Sequence, residues 1–144
     1  MQGNFSDVMT IYNRVMQGGS ELWQRTVIEG VELADCRGEA MRHSGAASSS
    51  ARRVGPVSVS EMTVIIPKRA HSGYLTPMGW RMAENRVGCW TLQAGDMIVP
   101  ALCTTEMRES MEELLEVADR VAVIGTAVDF GGEGEMSHWE VSAR

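Results

Sequence analysis

The sequence predicts a mainly β protein, a small antiparallel β-barrel or sandwich with one short helix and a long loop. Three observations predict this class. Short segments of alternating or β-branched apolar residues recur along the 144-residue chain. Turn residues separate these segments about every 8 to 15 positions, and only one segment carries strong helix signals. The length suits a single domain that spans residues 1–144.

The first two segments are predicted to form a β-hairpin. Residues 9–15 alternate β-branched and aromatic side chains, and residues 21–33 follow after a turn that contains Gly18 and Gly19. The apolar side chains of the second segment do not keep to one face. A bulge or a bend is therefore expected near Gly30.

Residues 36–56 interrupt this pattern and are predicted to form a long loop or arm. Small residues and arginine dominate the segment, with Glu39 as its single acid. A loop of this length in a compact domain is usually functional or disordered. Either it packs poorly, or its arginines bind a carboxylate-rich partner that orders it. The arginines are Arg37, Arg42, Arg52 and Arg53.

The middle of the chain predicts three further strands. Residues 57–66 are the clearest strand, and Pro67 is expected to end it. Residues 76–83 place Pro77 at the first position of a possible helical turn. Residues 89–102 read as a strand, a tight turn at Gly95 and a second strand.

The last third predicts the helix and two more strands. Ser110 and Glu113 have the spacing of a capping box, in which each side chain bonds the other residue's free amide. The helix is expected over residues 111–118, with acids on its exposed face. Residues 120–128 and 136–141 are predicted strands on either side of a glycine-rich turn.

Composition excludes several classes of function. The net charge is −6 and Lys68 is the only lysine, which weighs against tight binding to nucleic-acid phosphates. No apolar run approaches the roughly 18 residues that a membrane helix needs. The three cysteines form no CxxC pair, so a reducing interior is expected rather than a disulfide framework.

The sequence offers no set of residues for catalysis or metal binding. Cys36 and His43 are too far apart for a typical zinc pair, and His138 has no evident partner. No GxSxG motif is present, and the glycine-rich run 131–134 lacks the lysine of a phosphate loop. We therefore expect a protein that is not an enzyme and needs no metal or cofactor.

Several blocks of sequence resemble a known family. That family is encoded in the head–tail module of long-tailed phages and prophages of gut bacteria, and its members are often labelled minor capsid or head–tail proteins. The segment LQAGDMIV is also similar to head-closure, or stopper, proteins, which sit beneath a phage portal. The blocks are residues 10–14, 25–31, 64–67, 92–99, 114–116 and 123–124, with Asp129-Phe130-Gly131 and His138-Trp139-Glu140-Val141 at the end.

The resemblance implies a structural role in the virion. Head-closure proteins are small β-barrels that form a ring between the portal–adaptor complex and the tail. The implied partners are other copies of the chain, portal or adaptor proteins, and tail-terminator or tail tube proteins. DNA would pass through the ring without specific binding, and no membrane is involved. The chain would be made in the bacterial cytoplasm and reside at the head–tail junction.

Other assignments stay open at this point. The chain could be an adaptor, a tail-terminator or a minor capsid subunit of the same module, or a small soluble binding module. Residues 36–56 and 68–88 depart from the family pattern, so loop contacts cannot be transferred. An adaptor is expected to be mainly helical, which this sequence is not.

A ring contact between copies requires two different surfaces on each subunit. The sequence contains one arginine-rich segment and one acid-rich helix. We expect the four arginines of residues 36–56 to face Glu112 and Glu116 of a neighbouring copy.

Overall fold

Six antiparallel strands form a closed barrel in the computed structural model, which describes residues 5–35, 61–131 and 137–144. The order around the barrel is β1-β2-β3-β6-β5-β4. The mainly β prediction is confirmed, and of the two architectures the protein adopts the barrel. The strands are β1 (Asp7–Gln17), β2 (Ser20–Asp35), β3 (Met62–Pro67), β4 (Met97–Val99), β5 (Ala122–Phe130) and β6 (His138–Ala143).

The two α-helices within the described residues are short. Helix α1 (Pro77–Met82) begins with Pro77, and the Thr76 hydroxyl accepts a hydrogen bond from the amide of Gly79. The predicted helical turn is therefore confirmed. Helix α2 (Glu112–Leu115) is shorter than the predicted 111–118. After Leu115 the chain continues as a turn, in which Leu114 O accepts from the amides of both Val117 and Ala118.

Two glycines lie at the corners where strands pass from one sheet to the other. Gly30 has no partner on β1, since Val8 pairs with Glu29 and Asp7 with Val31. Its φ of 77° is a conformation that side chains disfavour. Gly125 is the extra residue between Ile124 and Thr126 in the pairing of β5 with β6. Each bulge bends its strand and helps the barrel to close. The predicted bulge near Gly30 is confirmed.

The barrel interior is filled by side chains from all six strands and from the segment before β4. The half-buried Tyr74 packs against this core, with its ring centroid 5.2 Å from that of Trp90 and 4.4 Å from that of Trp139. A second cluster packs α2 onto the outside of the barrel through Tyr12 and Leu114. Strand β1 is therefore buried on both faces, which explains its continuous run of buried residues.

The predicted strand over residues 89–94 is wrong. Trp90 forms only an isolated bridge with Tyr74, and the next residue bonds a side chain instead of a neighbouring strand. Asn13 Nδ2 donates to Thr91 O at 2.8 Å, and Thr91 N donates to Asn13 Oδ1 at 3.1 Å. Because one buried amide satisfies this backbone, the segment follows β1 without forming a ladder.

Asp96 completes this buried network. Its carboxylate accepts from Asn13 Nδ2 at 2.8 Å and from the Arg14 amide at 3.2 Å. Burial raises the pKa of Asp96 to about 6, although hydrogen bonds from Asn13, Gln93 and the Arg14 amide oppose the rise. The network thus joins β1 to the loop that leads into β4.

The two corner glycines provide a matched pair of substitutions. Gly30→Ala is expected to lower the free energy of unfolding by about 1–2 kcal/mol, because alanine disfavours positive φ. Gly125→Ala is expected to change stability little or to raise it by up to about 1 kcal/mol, since its φ is not positive and an added Cβ would lie 3.6 Å from Ser142 O. Urea denaturation measures both. Equal losses in the two variants would contradict the assigned backbone strain at Gly30.

Asp96 is expected to make stability depend on pH. Because folding raises its pKa above the ordinary 3.8, its contribution is complete below that value and is lost as pH rises through about 6. Relative to an Asp96→Asn variant, the wild-type chain should lose about 1–3 kcal/mol between about pH 4 and about pH 7.5. Urea denaturation of both chains across this range measures the difference. A difference that does not vary with pH would show that Asp96 titrates normally.

Candidate interface

Glu112 and Glu116 lie at the two ends of the exposed face of α2. Both side chains are exposed, and neither has a hydrogen bond or an ion pair within the described ranges. Leu115 and Val117, on the same segment, are also exposed apolar residues. The predicted acidic face is therefore available to a partner and is partly apolar.

Glu113 has a different role from its neighbours. Its carboxylate accepts hydrogen bonds from the amides of Arg108, Glu109 and Ser110 at 3.2, 2.5 and 2.9 Å. These bonds lower the pKa of Glu113. The glutamate half of the predicted capping box is confirmed, while the serine hydroxyl makes no capping bond. Glu113 thus holds the turn before α2, which fixes the position of Glu112 and Glu116.

The four arginines of the predicted interface lie outside the described residues. Their proximity to the acids of α2 therefore remains a prediction. The loop prediction for 36–56 and the first residues of the predicted strand 57–66 fall in the same stretch. The residues concerned are Arg37, Arg42, Arg52 and Arg53.

A groove of about 330 Å³ lies beside the acidic face. Leu102 and Val117, both exposed, line it together with Asp35 and Arg120. The guanidinium of Arg120 bonds the carboxylate of Asp35 at 3.2 Å, and this pair joins the end of β2 to the chain just before β5. The groove thus combines apolar walls with a charged floor.

Two further surfaces expose large apolar side chains. At the end of the β1–β2 hairpin, Met16 and Leu22 line a broad depression that also includes Val87. On β5, Val128 and Phe130 are 47% and 44% exposed. Scattered apolar residues are normal on a protein surface, but grouped ones mark contact sites. The barrel therefore offers several separate surfaces for binding.

The histidines in the described ranges have structural partners. His71 contacts Pro67 O through Nδ1 at 2.8 Å and Glu29 O through Nε2. The His138 ring stacks on Phe130, with centroids 5.1 Å apart, and lies 3.5 Å from a Glu140 carboxylate oxygen. Both rings are thus held by neighbouring groups of the barrel.

Among residues 5–35, 61–131 and 137–144, no three His, Cys, Asp or Glu side chains are grouped to hold a metal ion. Cys89 and Cys103 carry free thiols. No helix within these ranges has the length and apolar character required to cross a bilayer.

Sequence reasoning missed two features of the surface and the interior. It did not identify the buried pair Asn13 and Asp96, although a polar residue within a continuously apolar strand such as β1 is a signal for one. It also missed that β5 projects beyond its neighbour β4. The length of β4 depends on tertiary contacts, so no local sequence pattern predicts that this strand is short.

The fold and its surfaces define a small antiparallel β-barrel protein with several exposed contact surfaces. The chain belongs to the family described as a family of unknown function (DUF6751), whose model matches residues 5–144. No curated protein and no solved structure matches the chain.

Proposed function

We propose that this chain is a structural virion protein, the head-closure subunit of the connector between the head and the tail of a long-tailed phage. Copies would form a ring between the portal–adaptor complex and the tail, retain the packaged DNA and let it pass at infection. The observation that carries this proposal is the closed six-strand barrel. Head-closure proteins, which residues 92–99 resemble, are small β-barrels, whereas an adaptor is expected to be mainly helical.

The segment that carries the resemblance, residues 92–99, includes a strand that closes the barrel. Its strand β4 pairs with β1 on one side and with β5 on the other. Asp96, just before β4, anchors this segment to β1 through its hydrogen bond from Asn13. The segment that carries the resemblance is thus the segment that closes the barrel, which favours a relation of fold over a chance match.

The exposed surfaces fit a subunit that contacts several neighbours. A ring subunit needs two different surfaces for its adjacent copies, and a connector ring needs others for the rings above and below it. The barrel offers the acidic face of α2 with its groove, the hairpin end and the apolar side chains of β5. These would serve neighbouring copies, the portal–adaptor complex and the tail-terminator or tail tube.

The charge of the chain suits a passage for DNA. With a net charge of −6, a ring of copies would repel phosphates over most of its surface. A channel that lets DNA slide should not bind phosphates tightly, because strong binding would oppose movement. The proposed ring therefore guides the genome without recognising its sequence.

Deletion of the gene from its phage genome tests the proposed function. Heads without a closure ring should lose their DNA, and complete tails should accumulate unattached. Electron microscopy of the lysate measures both effects, and a plasmid copy of the wild-type gene should restore infectious particles. Normal yields of tailed, DNA-filled particles without the gene would contradict the proposal.

Charge reversal tests the predicted contact between copies. Reversal of the acids, Glu112→Lys with Glu116→Lys, is expected to weaken ring assembly by opposing the arginines. Adding Arg52→Glu and Arg53→Glu should restore it. Glu61→Lys reverses an exposed acid just before β3, outside the surfaces named above, and should leave assembly unchanged. Analytical ultracentrifugation measures assembly, and unchanged assembly in the acid-reversed variant would exclude this pairing.

A further inference from the structure

Strand β5 extends beyond the strand that should cover its outer edge. Strand β4 pairs only with Ala122 and Val123, after which Ile124 exchanges backbone hydrogen bonds with Gly95 and Asp96. Beyond Ile124, β5 continues to Phe130 and pairs with β6 alone within the described residues. All residues from 125 to 130 are exposed. As far as the described ranges show, the outer edge of β5 is therefore an open edge over this length.

The ladder pattern shows which backbone groups point outward from β5. The amide of Lys68 donates to Ser137 O, so Ser137 and every second residue after it on β6 face β3. The alternate β6 residues face β5, and their partners are Thr126, Val128 and Phe130. The reciprocal bonds between Val123 and Arg144 agree with this alternation. The amides and carbonyls of Ala127 and Asp129 consequently point away from the barrel.

Strand β2 has a second open edge near the hairpin end. Strand β3 pairs only with residues 32–35 of β2. The two-residue turn at Gly18 and Gly19 makes Gln17 and Ser20 a hydrogen-bonded pair, so the odd-numbered residues that follow face outward. The contact of Glu29 O with His71 Nε2 agrees with this direction. Within the described ranges, the outward backbone groups of Trp23, Arg25 and Val27 bond no strand.

The chain covers a comparable edge elsewhere. Beyond its pairing with β4, β1 directs Arg14 O outward, where it accepts from Trp80 Nε1 at 2.8 Å and from Gln93 Nε2 at 3.2 Å. Proteins usually protect an edge strand by covering it with another segment, as here, or by placing prolines or charged side chains on it. Each open edge also carries an exposed apolar side chain: Leu22 on β2 and Val128 on β5 are both 47% exposed. In the described part of the chain, the open edges thus combine backbone groups that bond no strand with apolar side chains.

We propose that the open edge of β5 in one copy pairs with the open edge of β2 in the next. Each edge presents an amide and a carbonyl at every second residue, a spacing of about 6.8 Å that an extended backbone matches. A head-to-tail contact requires two different surfaces on each subunit, and one chain carries both of these edges. This contact specifies how the copies of the proposed ring join, and so it rests on the proposed function.

Residue-resolved hydrogen exchange of the full chain tests the pairing directly. On assembly at high concentration, exchange at the amides of Ala127, Asp129, Trp23 and Arg25 should slow by at least about tenfold. The amide of Val128 faces β6 and should be protected in both states. Assembly that leaves the four outward amides unprotected overturns the pairing, and so does a chain that stays monomeric at its highest soluble concentration. The deletion phenotype tests head closure independently of either result.

A proline substitution gives a second test. Ala127→Pro removes an outward amide and keeps the bonds between β5 and β6, because edge positions tolerate proline. The dissociation constant of the assembly should rise at least about tenfold, while the monomer melts as the wild type does. Ala127→Val keeps the amide and should assemble normally. Equal assembly of the two variants overturns the proposal, and hydrogen exchange decides it if Ala127→Pro does not fold.

Discussion

Closure of the barrel through the three residues of β4 is the constraint on which the rest of the structure depends. Ile98 lies between Ile11 of β1 and Ala122 of β5, and all three side chains are buried in the barrel. Because β4 and β5 are antiparallel, only residues before Met97 could extend the ladder along β5 towards Phe130. The last backbone bonds on that side join Ile124 to Gly95 and Asp96, so β5 continues beyond them without a neighbouring strand within the described residues. The same strand therefore completes the core and creates the open edge.

The buried network at Asp96 holds this closing strand in place. A carboxylate taken out of water is costly unless hydrogen bonds compensate, and Asn13 supplies part of that compensation from β1. The raised pKa of Asp96 shows that compensation is incomplete at neutral pH. The Asp96 carboxylate is unfavourable in this buried position, but it holds the loop before β4 by accepting from the Arg14 amide. An apolar residue could not accept this hydrogen bond.

Local patterns were sufficient to predict most of the barrel. The alternation in residues 9–15, the turn at Gly18 and the bulge at Gly30 are all properties of neighbouring residues, and they were predicted.

Other features depend on contacts between distant residues. The prediction of a strand over 89–94 was wrong because Asn13, 78 positions away from Thr91, satisfies the backbone of that segment. Helix α2 was predicted too long, since its end depends on a turn rather than on its apolar stripe. The open edges could not be predicted, because they depend on the lengths of strands that are distant in sequence. Of the predicted interface, Glu112 and Glu116 lie exposed as expected.

A sheet protein becomes a ring subunit when its exposed surfaces are matched by those of its own copies. The proposed head-closure role is tested most directly by a three-dimensional map, from electron cryomicroscopy, of the neck of the tailed particles proposed to contain this chain. The account predicts a ring of six-strand barrels between the portal–adaptor complex and the tail. Density for the chain at any other position, or its absence from the particles, would contradict the account.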